Sequence, residues 1–300
     1  MHARNRFGGQ PTGIDGTTRV VGIIGDAIRG SLSPRLHNAA FAALELNWCY
    51  VAFPVTRDRL GAAIRGLPAL GITGANVTVP HKEAVLAYLD DATEDARIIG
   101  AVNTIEVAGD RSVGHNTDTV GLVDALRRDG GVSLEGQRAV VVGAGGAARA
   151  AAFALAGAGA ASVTIVNRNW DRAAALSAAV RRMFTCACDA VPLDGHGLAS
   201  TLGEATLLVQ ATTVGGGGRR ESAVPGGLLH PGLFVMDMIY EPQETVLLRE
   251  ARALGCRTLG GLAMLVYQGA RAFEIWTGRD APLQVMRDAV GLPREAAPKS

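Results

Sequence analysis

The stretch VVVGAGGAARA, Val140 to Ala150, constrains the fold of this chain more than any other. A β-branched run passes without interruption into Gly143, Gly145 and Ala148, followed by an alanine-rich helical pattern. This is the G-x-G-x-x-A form of a dinucleotide fingerprint, in the strand-to-helix context that gives the spacing its meaning. The first glycine allows a tight turn, the second lets the backbone approach a pyrophosphate, and the alanine permits close packing of helix on strand. The helix N-terminus then offers free N–H groups and a partial positive charge to phosphate. A merely tight turn is the plain alternative.

On either side of this stretch, strand and helix patterns alternate. RVVGII (19–24), CYVAF (49–53) and ITGANVTV (72–79) read as strands, with helical spacing between them in LHNAAFAALEL and LGAAIRGL. A second series runs from RAVVVGAGG at Arg138 through SVTIVNR and TLLVQAT to LFVMDMIY, ending at Tyr240. Strands rich in Val and Ile, separated by alanine-rich helices, predict a parallel sheet covered on both faces. With 300 residues, 48% of them hydrophobic, two α/β domains with separate cores are expected, meeting near Asp118 to Gly121. The four-glycine run Gly215 to Gly218 must lie in a loop, and the tail after Pro293 is expected to fray.

The end of the strand SVTIVNR bears on which dinucleotide is bound. An NAD site normally places Asp or Glu there for the ribose 2′-hydroxyl, whereas this chain has Asn167, Arg168 and Asn169, with Arg172 one turn later. A guanidinium binds a 2′-phosphate through charge-assisted bonds, which favours NADP over NAD. The alternative is that Arg172 only solvates a helix face, and the nearby Asp171 would weaken a phosphate site.

A net charge of +1 gives no basic field, so a small molecule is the expected partner rather than nucleic acid or a membrane surface. The N-terminal MHARNRFGGQPTGIDG has no apolar h-region and the run Ala150 to Ala161 is too short to span a bilayer, so a cytoplasmic protein is expected. Cys49, Cys186, Cys188 and Cys256 are scattered, and the Cys-x-Cys of TCACDAV reads as one face of a buried strand. Reduced thiols and no metal site follow.

Several polar residues of the first half stand at ends of elements. GANVTVPHKE reads as a strand halted by Pro80, with Lys82 in the first turn beyond it. In SLSPRLHN, Ser31 and Ser33 precede a helix whose first turn suits Pro34. The pair reads either as a carboxylate site or as ordinary N-capping by Ser33. GAVNT offers Asn103, and GHNTDTVG offers Asn116 and Asp118 at the domain border, where a carboxylate is often a helix cap. His37 and His81 each read as part of a helix face.

Taken together, SLSPRLHN, GANVTVPHKE, GAVNT, NTD, GAGGAARA, NRN, DMIY and GLAMLVYQGARAFEIWTG, in this order from Ser31 to Gly278, resemble the shikimate dehydrogenase family over nearly the whole chain. The resemblance implies an α/β protein with an open substrate-binding domain over 1–119 and a Rossmann NADP-binding domain over 120–257. Helices from 258–300 would return to the first domain, with a cleft between the two. It implies that Ser31 and Ser33 bind the substrate carboxylate, that Thr78, Asn103 and Gln268 hold its hydroxyls, and that Tyr240 lines the same pocket. Lys82 and Asp118 would be the catalytic pair. Gly143, Ala144, Gly145, Gly146, Ala147 and Ala148, with Asn167, Arg168 and Arg172, would bind NADP, with Met238 and Gly261 near the nicotinamide. The implied activity is reversible NADP-dependent reduction of 3-dehydroshikimate to shikimate, in aromatic amino acid biosynthesis, by a monomer or homodimer.

This gives Lys82 a physical task. Reducing a ketone needs a hydride at carbon and a proton at oxygen, and a cation beside the carbonyl stabilises the developing alkoxide. Lys82 would serve as proton carrier or as electrostatic anchor. Gly30, Thr119, Gly216 and Asn169 depart from the family's usual residues around substrate and cofactor. Quinate or an amino-substituted relative, with NAD or NADP, is therefore the alternative substrate reading. A non-catalytic ligand sensor on the same fold is the other alternative, and retention of both Lys82 and Asp118 argues against it.

Overall fold

The strands and helices of the sequence reading assemble into two sheets with their covering helices. The computed structural model describes residues 13–193 and 197–294. The tail from residue 295, and all but the last four residues of the N-terminal MHARNRFGGQPTGIDG, lie outside the described residues. By contacts the chain divides into two units. The described parts of the first are 13–93, Val102–Thr117 and Gly269–Arg294, and those of the second are Glu94–Ala101 and Asp118–Gln268.

The first unit carries β1 (Arg19–Gly25), α1 (Ser33–Ala43), β2 (Trp48–Pro54), α2 (Leu60–Ala69), β3 (Ile72–Val77) and β4 (Asp91–Ala92). After α3 (Glu94–Ile99), which groups with the second unit, come the strands β5 (Thr104–Ala108) and β6 (Arg111–His115). The sheet order is β2-β1-β3-β5-β6-β4. β1 pairs in parallel with β2 and β3, whereas β5 is antiparallel to both β3 and β6. This sheet is therefore mixed. The β5–β6 hairpin turns at Gly109, whose φ of 61° lies in the left-handed region that glycine supplies without a steric cost.

In the second unit the chain runs through α4 (Asp118–Asp124), β7 (Arg138–Val142), α5 (Gly146–Gly157), β8 (Ser162–Asn167), α6 (Trp170–Met183) and β9 (Ala187–Pro192). It continues through α7 (Gly197–Glu204), β10 (Leu207–Gln210), β11 (Phe234–Asp237), α8 (Val246–Ala253) and β12 (Arg257–Leu259). All strands pair in parallel, in the order β12-β11-β10-β7-β8-β9. This is the doubly wound arrangement expected from Val-rich strands alternating with helices. Ala150 to Ala156 on α5 are buried without exception, as a helix between a sheet and other helices requires.

α9 (Leu262–Thr277) begins in the second unit, and from Gly269 onward it groups with the first, as does α10 (Leu283–Ala289). Its far end is fixed to the first sheet by the Trp276 indole N–H, which donates to the Ile105 carbonyl at 2.9 Å. Among the described residues no helix is long and apolar enough to cross a membrane.

Candidate functional site

In the first unit the lysine turn is built from backbone bonds. β3 stops at Val77, two residues earlier than the strand pattern suggests, and Val79 is 52% exposed. The alternation read through Val79 is corrected accordingly. The Thr78 N–H still reaches the Ile24 carbonyl at 2.9 Å. The chain then turns, with the His81 N–H donating to the Thr78 carbonyl at 2.9 Å and the Asp26 N–H to the Val79 carbonyl at 3.3 Å. The Lys82 carbonyl accepts from the Val102 N–H at 2.8 Å, which ties the lysine turn to the segment carrying Asn103. His81 is fully buried in this turn rather than on a helix face, with its Nε2 at 2.7 Å from the Val55 carbonyl. These bonds fix the backbone of the turn from which the Lys82 side chain springs.

Asn103 is 2% exposed and its amide is fully oriented. Its Oδ1 accepts from the Thr117 N–H at 2.7 Å and its Nδ2 donates to Thr117 Oγ1 at 2.9 Å. Behind it lies a buried polar chain that the sequence reading missed. The Tyr50 hydroxyl donates to Asn76 Oδ1 at 2.8 Å, and Asn76 Nδ2 donates to the Asn103 carbonyl at 3.2 Å and to Thr104 Oγ1 at 3.0 Å. Asn76 is a polar residue at a buried position of the largely buried strand ITGANV, which is the signal that marks it, since a buried amide must find partners.

Ser33 is the first residue of α1 and the N-cap position is Leu32, so Ser33 does not act as the cap. Instead the Ser31 Oγ accepts from the Ser33 N–H at 3.3 Å, placing both hydroxyls at the helix start. His37, on α1, is fully buried with neither ring nitrogen partnered. Its ring stacks on Tyr50 at 4.5 Å, and burial pushes its pKa down to about 3.

The second unit holds Asp118, Tyr240 and Gln268 together with the dinucleotide fingerprint. Asp118 is the first residue of α4 and 3% exposed. Gln268 is anchored on α9 by its Nε2, which donates to the Leu265 carbonyl at 2.8 Å. Gly143 has a φ of 120°, and a Cβ there would lie 3.2 Å from both the Ala211 carbonyl oxygen and Thr212 Cγ2. Gly145 is the N-cap of α5 in extended conformation and, lacking a side chain, leaves the helix's first N–H groups unblocked. Gly261 meets the turn after β11 so closely that a Cβ would sit 2.2 Å from the Met238 carbonyl oxygen.

At the end of β8, Asn169 caps α6, its Oδ1 accepting from the Arg172 N–H at 3.0 Å, and the Asn167 Nδ2 donates to the Asn169 carbonyl at 2.9 Å. The Arg172 guanidinium donates to the Ala144 carbonyl at 3.0 Å, so it braces the glycine-rich turn, a role the sequence pattern does not reveal. Arg168 is exposed beside it. Unblocked helix N–H groups, a turn in which Gly143, Gly145 and Gly146 carry no Cβ, and two guanidinium groups without an acidic residue at the strand end together fit a dinucleotide carrying a 2′-phosphate. The four cysteines are free thiols, and no cluster of metal-ligating side chains occurs among the described residues.

The chain matches family models along its length. These are the shikimate dehydrogenase substrate binding domain over residues 23–105, shikimate / quinate 5-dehydrogenase over 125–214, and the shikimate 5'-dehydrogenase C-terminal domain over 261–290. It is 46% identical over 279 residues to a shikimate dehydrogenase (NADP(+)) of Methanopyrus kandleri, covering 92% of this chain and 96% of the relative. A crystal structure of a shikimate dehydrogenase in complex with NADP+ superposes with a TM-score of 0.85 at 39% identity, covering 94% of this chain and 98% of that one. The Thermus thermophilus shikimate 5-dehydrogenase in complex with NADP(H) and shikimate gives 0.82 at 38% identity, covering 91% and 99%.

Proposed function

The chain belongs to the shikimate dehydrogenase family, and on that premise we propose that it catalyses the NADP-dependent, reversible reduction of 3-dehydroshikimate to shikimate. The observation that carries this reading is the pairing, in one chain, of a 2′-phosphate-compatible dinucleotide turn with a rigid lysine turn bonded to the Asn103 segment. NADPH bound at the glycine-rich turn would supply the hydride for the ketone carbon. Lys82 hydrogen-bonds the ketone oxygen, stabilises the charge that gathers on it and delivers the proton that completes the hydroxyl, with Asp118 as the other member of the acid/base pair.

Ser31 and Ser33 bind the substrate carboxylate through their adjacent hydroxyls. Asn103, held by Thr117, offers its amide to a ring hydroxyl together with Thr78 and Gln268, and Tyr240 lines the pocket. Gly143 to Ala148 take the pyrophosphate, Asn167, Arg168 and Arg172 the adenosine 2′-phosphate, and Met238 and Gly261 flank the nicotinamide. In this reading residues 1–119 form the substrate domain, 120–257 the NADP domain, and 258–300 the returning helices. The setting is cytoplasmic aromatic amino acid biosynthesis, with a monomeric or homodimeric protein.

Initial rates of the purified protein with shikimate and with quinate, each with NADP and with NAD, test the proposal. Shikimate with NADP should give the highest kcat/KM of the four. A higher value for quinate or for NAD would replace the substrate or the cofactor in this reading, and absence of turnover in all four would leave a ligand-binding relative.

A further inference from the structure

At the ends of β10 and β11, Gln210 and Asp237 face each other in register and are 0% and 1% exposed. The Asp237 carboxylate gathers three donors. Its Oδ1 accepts from the Ile239 N–H at 3.0 Å and from Gln210 Nε2 at 3.4 Å, and its Oδ2 accepts from the Thr245 hydroxyl at 2.7 Å. Each donor belongs to a different segment. Ile239 lies in the turn between Met238 and Tyr240. Thr245 caps α8, its oxygen accepting from the Leu248 N–H at 3.2 Å. Gln210 also holds the loop after β10, accepting from the Thr212 N–H at 2.5 Å and donating to the Val214 carbonyl at 3.0 Å. The Ile239 carbonyl in turn accepts from the Gly261 N–H at 3.1 Å.

We propose that Asp237 is a positioning residue of the dehydrogenase, whose ionised carboxylate fixes the Met238–Tyr240 turn and thereby the binding of the nicotinamide half of the cofactor. The inference rests on the NADP reading above, which sets Met238 and Gly261 beside the nicotinamide.

The donor count makes ionisation matter. With a carboxylate, all three donors have an acceptor. A proton on Oδ1 would face the Ile239 N–H, donor against donor. A proton on Oδ2 would turn the Thr245 hydroxyl round and leave that hydroxyl's own proton without its acceptor. Either way one donor of the cluster loses its acceptor, the Ile239 N–H that holds the turn or the Thr245 hydroxyl at the α8 cap. The groups facing the carboxylate are Gln210 from β10, Thr245 from the α8 cap and the Ile239 N–H, and none of them is ionisable. Burial raises the pKa and the Ile239 and Thr245 bonds lower it, leaving a value of about 6 against the ordinary 3.8. Because this folded-state pKa is raised, the ionised form and its hold on the turn are present above about pH 6 and fade below it.

Adenosine 2′,5′-bisphosphate, which carries the 2′-phosphate but no nicotinamide, separates this effect from titration of the phosphate. Dissociation constants for NADPH and for the bisphosphate are measured by calorimetry at pH 7.5 and 5.5 on the full chain and on Asp237→Asn. At pH 7.5 the substitution should weaken NADPH about tenfold and leave the bisphosphate within about twofold. The ratio of the two constants in the wild type should move several-fold toward weaker NADPH at pH 5.5, and in the variant it should stay flat. Equal weakening of both ligands, unchanged NADPH affinity or a pH-independent wild-type ratio would each overturn the proposal. Should Asp237→Asn fail to fold, Thr245→Val is the second variant, with the same selective loss of NADPH expected. Failure of the wild type to bind either ligand would instead remove the NADP reading, and the inference with it.

Discussion

His37 makes a prediction whose size follows from its surroundings. The ring is fully buried between Tyr50, Trp276 and Phe41, with centroid distances of 4.5, 5.3 and 6.3 Å, and neither nitrogen has a hydrogen-bond partner. The protonated ring would be a desolvated cation without a counter-ion, so its pKa falls from 6.5 to about 3. The sign is then fixed. The unfolded chain takes up a proton as pH drops below 6.5 and the folded chain does not, so stability is full above that value and declines until about pH 3. At about 1.4 kcal/mol per pH unit, going from pH 7 to pH 5 costs about 2 kcal/mol from this residue alone. His37→Phe keeps an aromatic ring against Tyr50 and removes the titration. Urea unfolding followed by tryptophan fluorescence suits the comparison. Trp48 and Trp276 are 7% and 6% exposed in the first unit, whereas Trp170 is 53% exposed in the second. The wild type should lose about 2 kcal/mol more than the variant between the two pH values, all other titrations cancelling in the difference. Equal losses in the two proteins would show that the ring reaches a partner or solvent, and the burial argument would fail.

Lys82→Ala should lower kcat by roughly a hundredfold or more with the NADP dissociation constant nearly unchanged, the effect expected when a positioned acid is lost, and a rate above half the wild-type value would remove Lys82 from the mechanism. Arg168→Ala should weaken NADP roughly ten- to hundredfold and scarcely touch NAD, measured for both cofactors at one ionic strength; equal weakening would place the guanidinium elsewhere. Tyr50→Phe leaves Asn76 Oδ1 without its donor, so unfolding should become easier by about 1 to 3 kcal/mol and the KM for shikimate should rise while NADP affinity stays put. Unchanged stability there would mean that the buried amide finds another donor.

The cofactor half of this protein was far more legible in the sequence than the substrate half, and the reason is locality. A dinucleotide turn is made by one contiguous segment, where strand, Gly143, Gly145, Ala148 and helix follow one another. Its chemistry belongs to backbone N–H groups that any reader of spacing can count. Even here the side chains were harder. Arg172 reads as a phosphate ligand or a solvated face, yet its guanidinium lies on the Ala144 carbonyl. Asn169, which departs from the family's usual residue there, is the cap of α6. Spacing along a helix says which way a residue starts out, not which carbonyl a long flexible side chain will meet.

The substrate half shows the opposite case. Ser31, Ser33, Lys82 and Asn103 drew notice because they stood at the ends of elements, where the serine pair read equally well as ordinary N-capping, and Thr78 was singled out only by the family resemblance. What the sequence could not show is the set of contacts between distant segments that fixes the backbone at Lys82 and the amide of Asn103: the Val102 N–H on the Lys82 carbonyl, Thr117 on Asn103, Asn76 on both Asn103 and Thr104, and Tyr50 on Asn76. The sequence does carry one trace of this network. Asn76 sits between Ala75 and Val77 on a strand buried on both sides, where an amide costs several kcal/mol unless it is satisfied. That cost alone demands partners for Asn76, wherever in the chain they come from. The partners are a tyrosine 26 residues upstream on β2 and a threonine 28 residues downstream on β5, brought together because β5 pairs with β3 on one side and β2 lies just beyond β1 on the other. Sheet order is set by crossover connections and long-range pairing, so the requirement was readable in the chain while its solution was not.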